Sequence, residues 1–115
     1  MVAAFITGGV AEAKSRCKTK ACELRIQHKQ WRQVARPYWQ TFERIAACES
    51  GGRWDIQNGN GYEGGLQWVH STWLSVGGAG SAARASKLEQ IYRGVLLMRR
   101  AGWGQWPVCR RAAGV

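Results

Sequence analysis

One stretch of this sequence carries a residue placed for chemistry. Cys48 to Trp73 reads C-E-S-G-G-R-W-D-I-Q-N-G-N-G-Y-E-G-G-L-Q-W-V-H-S-T-W. Glu49 stands at the end of an apolar helical pattern and is followed by glycines, amides and aromatics. A carboxyl that keeps its proton near neutral pH can protonate a leaving oxygen, which is general acid catalysis. Two features favour the protonated form. The negative end of a helix dipole disfavours a carboxylate, and Trp39, Trp54, Trp68 and Trp73 are close enough in sequence to strip water from it. A lone glutamate at a helix end is more often simply solvated. The residues around Glu49 give the chemical reading its weight.

Other chemistries find less support. Ser-His-acid catalysis would need His28 or His70, neither of which lies in a nucleophile motif, and Ser50 lacks the G-x-S-x-G elbow. Gly59-Asn60-Gly61 is not followed by a helical pattern and is no dinucleotide fingerprint. Cys17 and Cys22 with His28 have a loosely zinc-like spacing, but no second close pair completes a site. No metal and no cofactor is expected.

The elements that must position Glu49 are legible. Tyr38, Trp39, Phe42, Ile45 and Ala46 share one helical face. Pro37 suits a first helical turn, and Gly51-Gly52 supplies a stop. Asn58-Gly59 and Asn60-Gly61, flanked by Ile56, Tyr62 and Leu66, predict a β-hairpin over residues 55–68. Ser71 is expected to cap a short helix over 72–76, and residues 77–81 to form a loop. Ser86-Lys87-Leu88-Glu89 predicts a capping box opening a helix that buries Leu88, Ile91, Tyr92, Val95 and Met98 and ends at Gly102. The result is a mainly α fold with a small β-hairpin. A helix, one acid and a short glycine-rich β lobe are how lysozyme-type folds build a sugar cleft.

Length and composition set the frame. With 115 residues the chain is expected to form one domain whose modest core would benefit from covalent staples. Residues 37–111 form the expected catalytic domain. Residues 14–36 are a basic lead-in with a helix over 21–35, whose stripe of Leu24, Gln27-His28, Trp31 and Val34-Ala35 either packs on that domain or binds a wall. Residues 1–13 read as a truncated signal peptide, with Ala11-Glu12-Ala13 resembling a cleavage site; the apolar run is too short to span a bilayer. Seven tryptophans suit stacking on sugars, Trp54 and Trp73 above all, as well as core packing. The net charge of +10 suits polyanions. No nucleic-acid-binding signature accompanies it, and an anionic cell wall, polyanionic through peptide carboxylates and teichoic-type polymers, is a second expected partner class. Arg99-Arg100 and Arg110-Arg111 read as solvated pairs. Four cysteines point to an oxidising compartment and allow three pairings.

Several separated blocks resemble the catalytic domain of the resuscitation-promoting factors. They are Ile45-Ala46-Ala47-Cys48-Glu49-Ser50-Gly51-Gly52, Asn58-Gly59-Asn60-Gly61-Tyr62, Gly64-Gly65-Leu66-Gln67, Thr72-Trp73, and Gly102-Trp103-Gly104-Gln105-Trp106-Pro107-Val108-Cys109. The resemblance runs from about Phe42 to Cys109. It implies a compact, disulfide-stapled lysozyme-like fold, peptidoglycan glycan strands as substrate, Glu49 as the catalyst, and Thr72 on the cleft wall. It also implies a Cys48–Cys109 disulfide; outside the resemblance, Cys17–Cys22 is the favoured pair because it closes a small C-x4-C loop. Trp54, Asn60, Tyr62, Gln67 and Trp73 are the other expected substrate contacts. Val69, Ala101 and Glu63 depart from the family pattern, at positions that bear on substrate subsites and on any second carboxylate.

Two classes of function follow. The first is a secreted enzyme, expected to be monomeric, that cuts the β-1,4 bond between N-acetylmuramic acid and N-acetylglucosamine. Within it, the poor second acids favour a lytic transglycosylase over a hydrolase: Asp55 adjoins the turn, and Glu63 is expected to be solvated. The second is a cationic wall-binding module with little activity.

Overall fold

A computed structural model describes residues 11–115. The leader expected over residues 1–13 lies chiefly outside the described residues. Four α-helices and one two-stranded sheet follow Thr19: α1 (Lys20–Ala35), α2 (Trp39–Ser50), β1 (Tyr62–Glu63), β2 (Trp68–Val69), α3 (His70–Ser75) and α4 (Lys87–Ala101), with short 3₁₀ turns between and after them. No helix among the described residues is long and apolar enough to cross a membrane. Mainly helical, with a small antiparallel sheet, the fold is of the class expected.

Helix α1 begins where Thr19 accepts a hydrogen bond from the Cys22 backbone N–H at 3.1 Å, an N-cap. It buries Trp31 and Ala35 and lies along α4, with Trp31 stacked on Tyr92 at 5.3 Å. Pro37 stands in a separate 3₁₀ turn, Arg36–Tyr38, just ahead of α2. Helix α2 buries Phe42, Ile45 and Ala46 and stops at Gly51, which takes the left-handed conformation (φ 67°) that glycine adopts without a Cβ penalty. Its face meets Leu66, Trp73, Ile91, Val95 and Trp106 in one core. Each large apolar side chain so buried contributes about 1.5–3 kcal/mol.

The sheet differs from expectation in position. The Asn-Gly pairs are not its turn. Asn58 Oδ1 accepts from the Asn60 N–H at 3.4 Å and Asn60 Oδ1 from the Tyr62 N–H at 3.0 Å, so these side chains fold the approach loop as successive Asx turns. The hairpin turn is Gly64–Gln67, with Tyr62 opposite Val69 and Glu63 opposite Trp68. Gly64 takes φ 72° and Gln67 takes φ 54°; Gln67 is the one non-glycine positive φ among the described residues. Such a residue carries about 1–3 kcal/mol of backbone strain.

Two helix starts are also corrected. Helix α3 starts at His70 after Val69, which makes no side-chain cap, so Ser71 lies inside it. Before α4, Ser86 accepts from the Glu89 N–H at 3.0 Å, but the Glu89 carboxylate turns to Arg93 at 2.7 Å and only half of the capping box forms. The buried face of α4 is Gln90, Ile91, Gly94, Val95 and Leu97; Leu88, Tyr92 and Met98 are half-buried.

Gln90 is fully buried. It accepts from the Gly65 N–H at 2.9 Å and donates to the carbonyls of Trp54 at 2.9 Å and Ala85 at 3.1 Å. This satisfied amide clasps the hairpin turn to α4, and its partners lie 25 and 36 residues away in sequence. Removing one partner of such a set leaves the others unsatisfied. Gly94 keeps the same junction tight, because a Cβ there would stand 2.9 Å from the Phe42 ring.

Both disulfides have the expected pairing, and Cys48–Cys109 is the one that the resemblance implied. Cys17 bonds Cys22, and Cys48 bonds Cys109 across 61 residues. The first bond excludes the zinc reading, since neither thiolate is free. On chain-entropy grounds the second contributes roughly 4 kcal/mol. It fastens the C-terminal 3₁₀ turn to the helix end that carries Glu49.

Candidate active site

The last turn of α2, the hairpin, α3 and the C-terminal tail enclose a cleft of about 460 Å³. Glu49 enters it from α2, Tyr62, Leu66, Gln67, Trp68 and Val69 from the hairpin, Thr72 from α3, and Gln105, Trp106, Pro107 and Val108 from the tail. Two braces hold the walls together. The Cys48–Cys109 bond adjoins Glu49, and the buried Trp106 indole N–H donates to the Leu66 carbonyl at 3.2 Å.

Glu49 is half-buried, and burial raises its carboxyl above the ordinary value. Among the described residues it is the only carboxyl on the cleft wall. The apolar surface beside it comes from Leu66, Trp68, Trp106 and Val108. Of the four tryptophans expected to dehydrate it, only Trp68 lines the cleft.

The expected contacts divide. Tyr62, Gln67 and Thr72 line the cleft with Glu49. Trp73 does not: it is 0% exposed, packs edge-on against Trp68 at 5.2 Å, and donates its indole N–H to the Ala79 carbonyl at 3.3 Å. It supports the wall and has no face to offer a ligand. Trp54 lies against Gly65 under the Lys87 ammonium, 5.4 Å from its ring centroid, and is outside the cleft wall. Asn60 accepts from the Tyr62 N–H in its Asx turn and is likewise outside the cleft wall. Gln105, Trp106, Pro107 and Val108 were not singled out as contacts from the sequence. The signal was the Gly102–Cys109 block, whose aromatic and proline surround the cysteine that returns to Glu49.

Glu63 is corrected too. It lies on β1 and is only 7% exposed, behind the cleft wall. His70 Nδ1 stands 2.9 Å from one carboxylate oxygen and Gln57 Nε2 donates to the other at 3.3 Å. Burial pushes this carboxyl up, but hydrogen bonds from Ser81 and His70, the His70 charge and the Ala82 backbone outweigh burial and hold it below its ordinary value. Asp55 is exposed and does not line the cleft.

A helical domain with one half-buried carboxyl in a groove beneath a small β lobe has the lysozyme-like arrangement of a glycosidase. Residues 36–109 match the transglycosylase-like domain family, and the chain belongs to that family. Its relatives are resuscitation-promoting factors. It is 49% identical over 75 residues to resuscitation-promoting factor Rpf of Micrococcus luteus, covering 65% of this chain and 34% of that protein. It is 50% identical over 74 residues to RpfE of Mycobacterium tuberculosis, covering 64% and 43%. The chain matches about a third to a half of the length of these relatives, over the region that holds the whole cleft.

Proposed function

We propose that this protein cleaves the β-1,4 bond between N-acetylmuramic acid and N-acetylglucosamine in peptidoglycan, outside the cell, as a single-glutamate lytic transglycosylase. The observation that carries this reading is the lone cleft carboxyl, raised by burial. Hydrolytic glycosidases ordinarily place two carboxyls across the scissile bond. Here Glu63 is engaged behind the wall and Asp55 lies outside the cleft. One carboxyl suffices for an internal displacement. Protonated Glu49 gives its proton to the leaving glycosidic oxygen as the bond to the anomeric carbon breaks. The resulting carboxylate takes the proton of the muramoyl C6 hydroxyl, whose oxygen bonds the anomeric carbon. The product is a 1,6-anhydro end, no water is consumed, and Glu49 ends protonated again. The attacking hydroxyl belongs to the same sugar, so the step gains from proximity. Family membership supports the substrate class, and two disulfides suit an oxidising compartment.

Mass spectrometry of products released from purified walls tests the route. Anhydromuropeptides, lighter by one water than the reducing forms, are expected. Reducing-end products alone would assign a muramidase and send attention to Asp55 and Glu63. Wall binding without release would leave only a binding module.

A further inference from the structure

Helix α1 lies ahead of nearly all of the matched region, and the cleft makes no use of it. Its charges are ordered. Arg25, Lys29, Arg32 and Arg36 recur at steps of four, three and four residues and are all exposed. Arg36 follows the helix but keeps helical angles (φ −51°, ψ −48°). At 3.6 residues per turn the four fall within roughly 60° of arc and rise over about 16 Å. No ion pair engages any of them among the described residues. The acid of α1, Glu23, pairs with Lys20 at 3.5 Å and projects roughly 160° away around the helix. From Leu24 to Phe42 the sequence holds no acid at all. Three basic residues elsewhere are tied locally, Arg100 to Ser75, Arg110 to the Val115 carbonyl and Arg93 to Glu89; Arg44, Arg53, Arg84 and Arg99 are exposed but are not aligned on one helical face.

The stripe runs into a groove. Arg32 and Arg36 line a cavity of about 310 Å³ with Trp39 and Leu88. Lys87 stands 5.3 Å from the Trp39 ring centroid but is held by Glu43 at 3.3 Å, so it adds little free charge. The surface thus combines a linear row of free cations with an apolar floor at one end.

We propose that this stripe and groove are a second binding site, for a linear wall polyanion of the teichoic type, a chain of phosphodiesters joined by polyol or sugar units. Four cations rising about 5 Å apart on average match one phosphate each along an extended polymer. Trp39 and Leu88 provide the surface on which a polyol or sugar unit rests. Two disulfides set the protein among extracellular polymers, which favours a wall polymer over nucleic acid. Occupying this site would hold the enzyme on the wall while leaving the Glu49 cleft free.

The test is binding of the full chain to immobilised poly(glycerol phosphate) as a function of salt. With about 0.7 in log–log slope for each cation released from a single-stranded polyanion, four contacts make wild-type binding fall roughly 50-fold between about 50 and about 200 mM salt. The R25Q/K29Q/R32Q/R36Q variant should lose at least tenfold at the lower salt and most of that dependence. The R25Q/K29Q variant should lose half of the slope. An R44Q/R53Q/R84Q/R99Q variant, equal in charge but altered elsewhere, should keep both affinity and slope, and Trp39→Ala should weaken binding at unchanged slope. Thermal midpoints like wild type certify folding. Equal losses in the two fourfold variants would reduce the effect to net charge and overturn the site. So would absence of binding, or tighter binding to single-stranded DNA at equal phosphate concentration, which would make the surface a nucleic-acid one. Unaltered binding by Trp39→Ala would remove the groove from it.

Discussion

Glu49 and Glu63 lie fourteen positions apart and are both withdrawn from water, yet they are driven in opposite directions. Burial raises both. At Glu49 no hydrogen-bond donor among the described residues answers the burial, and the carboxyl stays raised. At Glu63 Ser81, His70 and the Ala82 backbone answer it, and the carboxyl is lowered. The first site faces a cleft and can hand over a proton. The second is a closed charge-assisted network that holds β1 against α3 and favours the ionised carboxylate, which has no proton to give. The lesson is that partners rather than depth decide which buried acid is available for chemistry.

The sharpest way to break this contrast is to remove the free proton. Glu49→Gln keeps the shape and should lower the rate of wall clearing by 10²–10⁴-fold, the range of general acid contributions, while the thermal midpoint at neutral pH stays the same or rises. Near-wild-type turbidity loss by the folded variant would take Glu49 out of the reaction. The wild-type rate should also decline as pH rises through the raised value of Glu49, because only the protonated form donates. That limb, measured as kcat against pH, should disappear with the residue.

Loosening the scaffold on the Glu49 side comes next. The C48A/C109A pair should cost roughly 2–5 kcal/mol in denaturant unfolding and should also reduce activity, since the bond adjoins the turn that carries Glu49. A midpoint equal to wild type would show the staple to be redundant.

On the other side, Glu63→Gln keeps the shape and removes the charge. It should cost about 1.5–3 kcal/mol at neutral pH, the scale of hydrogen bonds to a charged group. Because the folded Glu63 value is lowered, its contribution is present above the ordinary glutamate value and is lost as pH falls through the lowered one. Thermal midpoints of variant and wild type should therefore differ at neutral pH and converge in acid. A difference that persists in acid would assign the effect to packing. Cleft chemistry should change far less than stability, the reverse of Glu49→Gln.

The smallest effect concerns strain. Gln67 holds a positive φ (54°) at the cleft and donates its side-chain amide to the Gly64 carbonyl at 3.1 Å. Gln67→Gly removes both the strain and the side chain. Stability should change by less than about 1 kcal/mol, while KM for soluble glycan fragments should rise. An unchanged KM would make Gln67 a turn residue only.

Much of the positioning frame was written locally. The 3.6-residue periodicity of α2, its left-handed stop at Gly51 and the start of α4 after Ser86 depend on neighbours within a turn, so the sequence alone determined that Glu49 ends a helix ahead of a small β lobe. The cysteine count allowed three pairings; the short C-x4-C spacing favoured Cys17–Cys22 and the resemblance implied Cys48–Cys109, as observed. Tertiary structure alone decided which aromatics face the cleft. Trp54 and Trp73 were favoured for it, but Trp68 and Trp106 line it, because Gln90 clasps Gly65 from 25 residues away and Trp106 reaches Leu66 from 40. The fate of Glu63 was decided in the same way. Its strand was legible, but the donors that close around it come from Gln57, His70, Ser81 and Ala82, on segments that meet only when the chain is folded. The Asn-Gly pairs mark the limit of local reading. They predict a bend, and they make one, but the register of a two-residue strand pair depends on which side chains its turn can bury against α4.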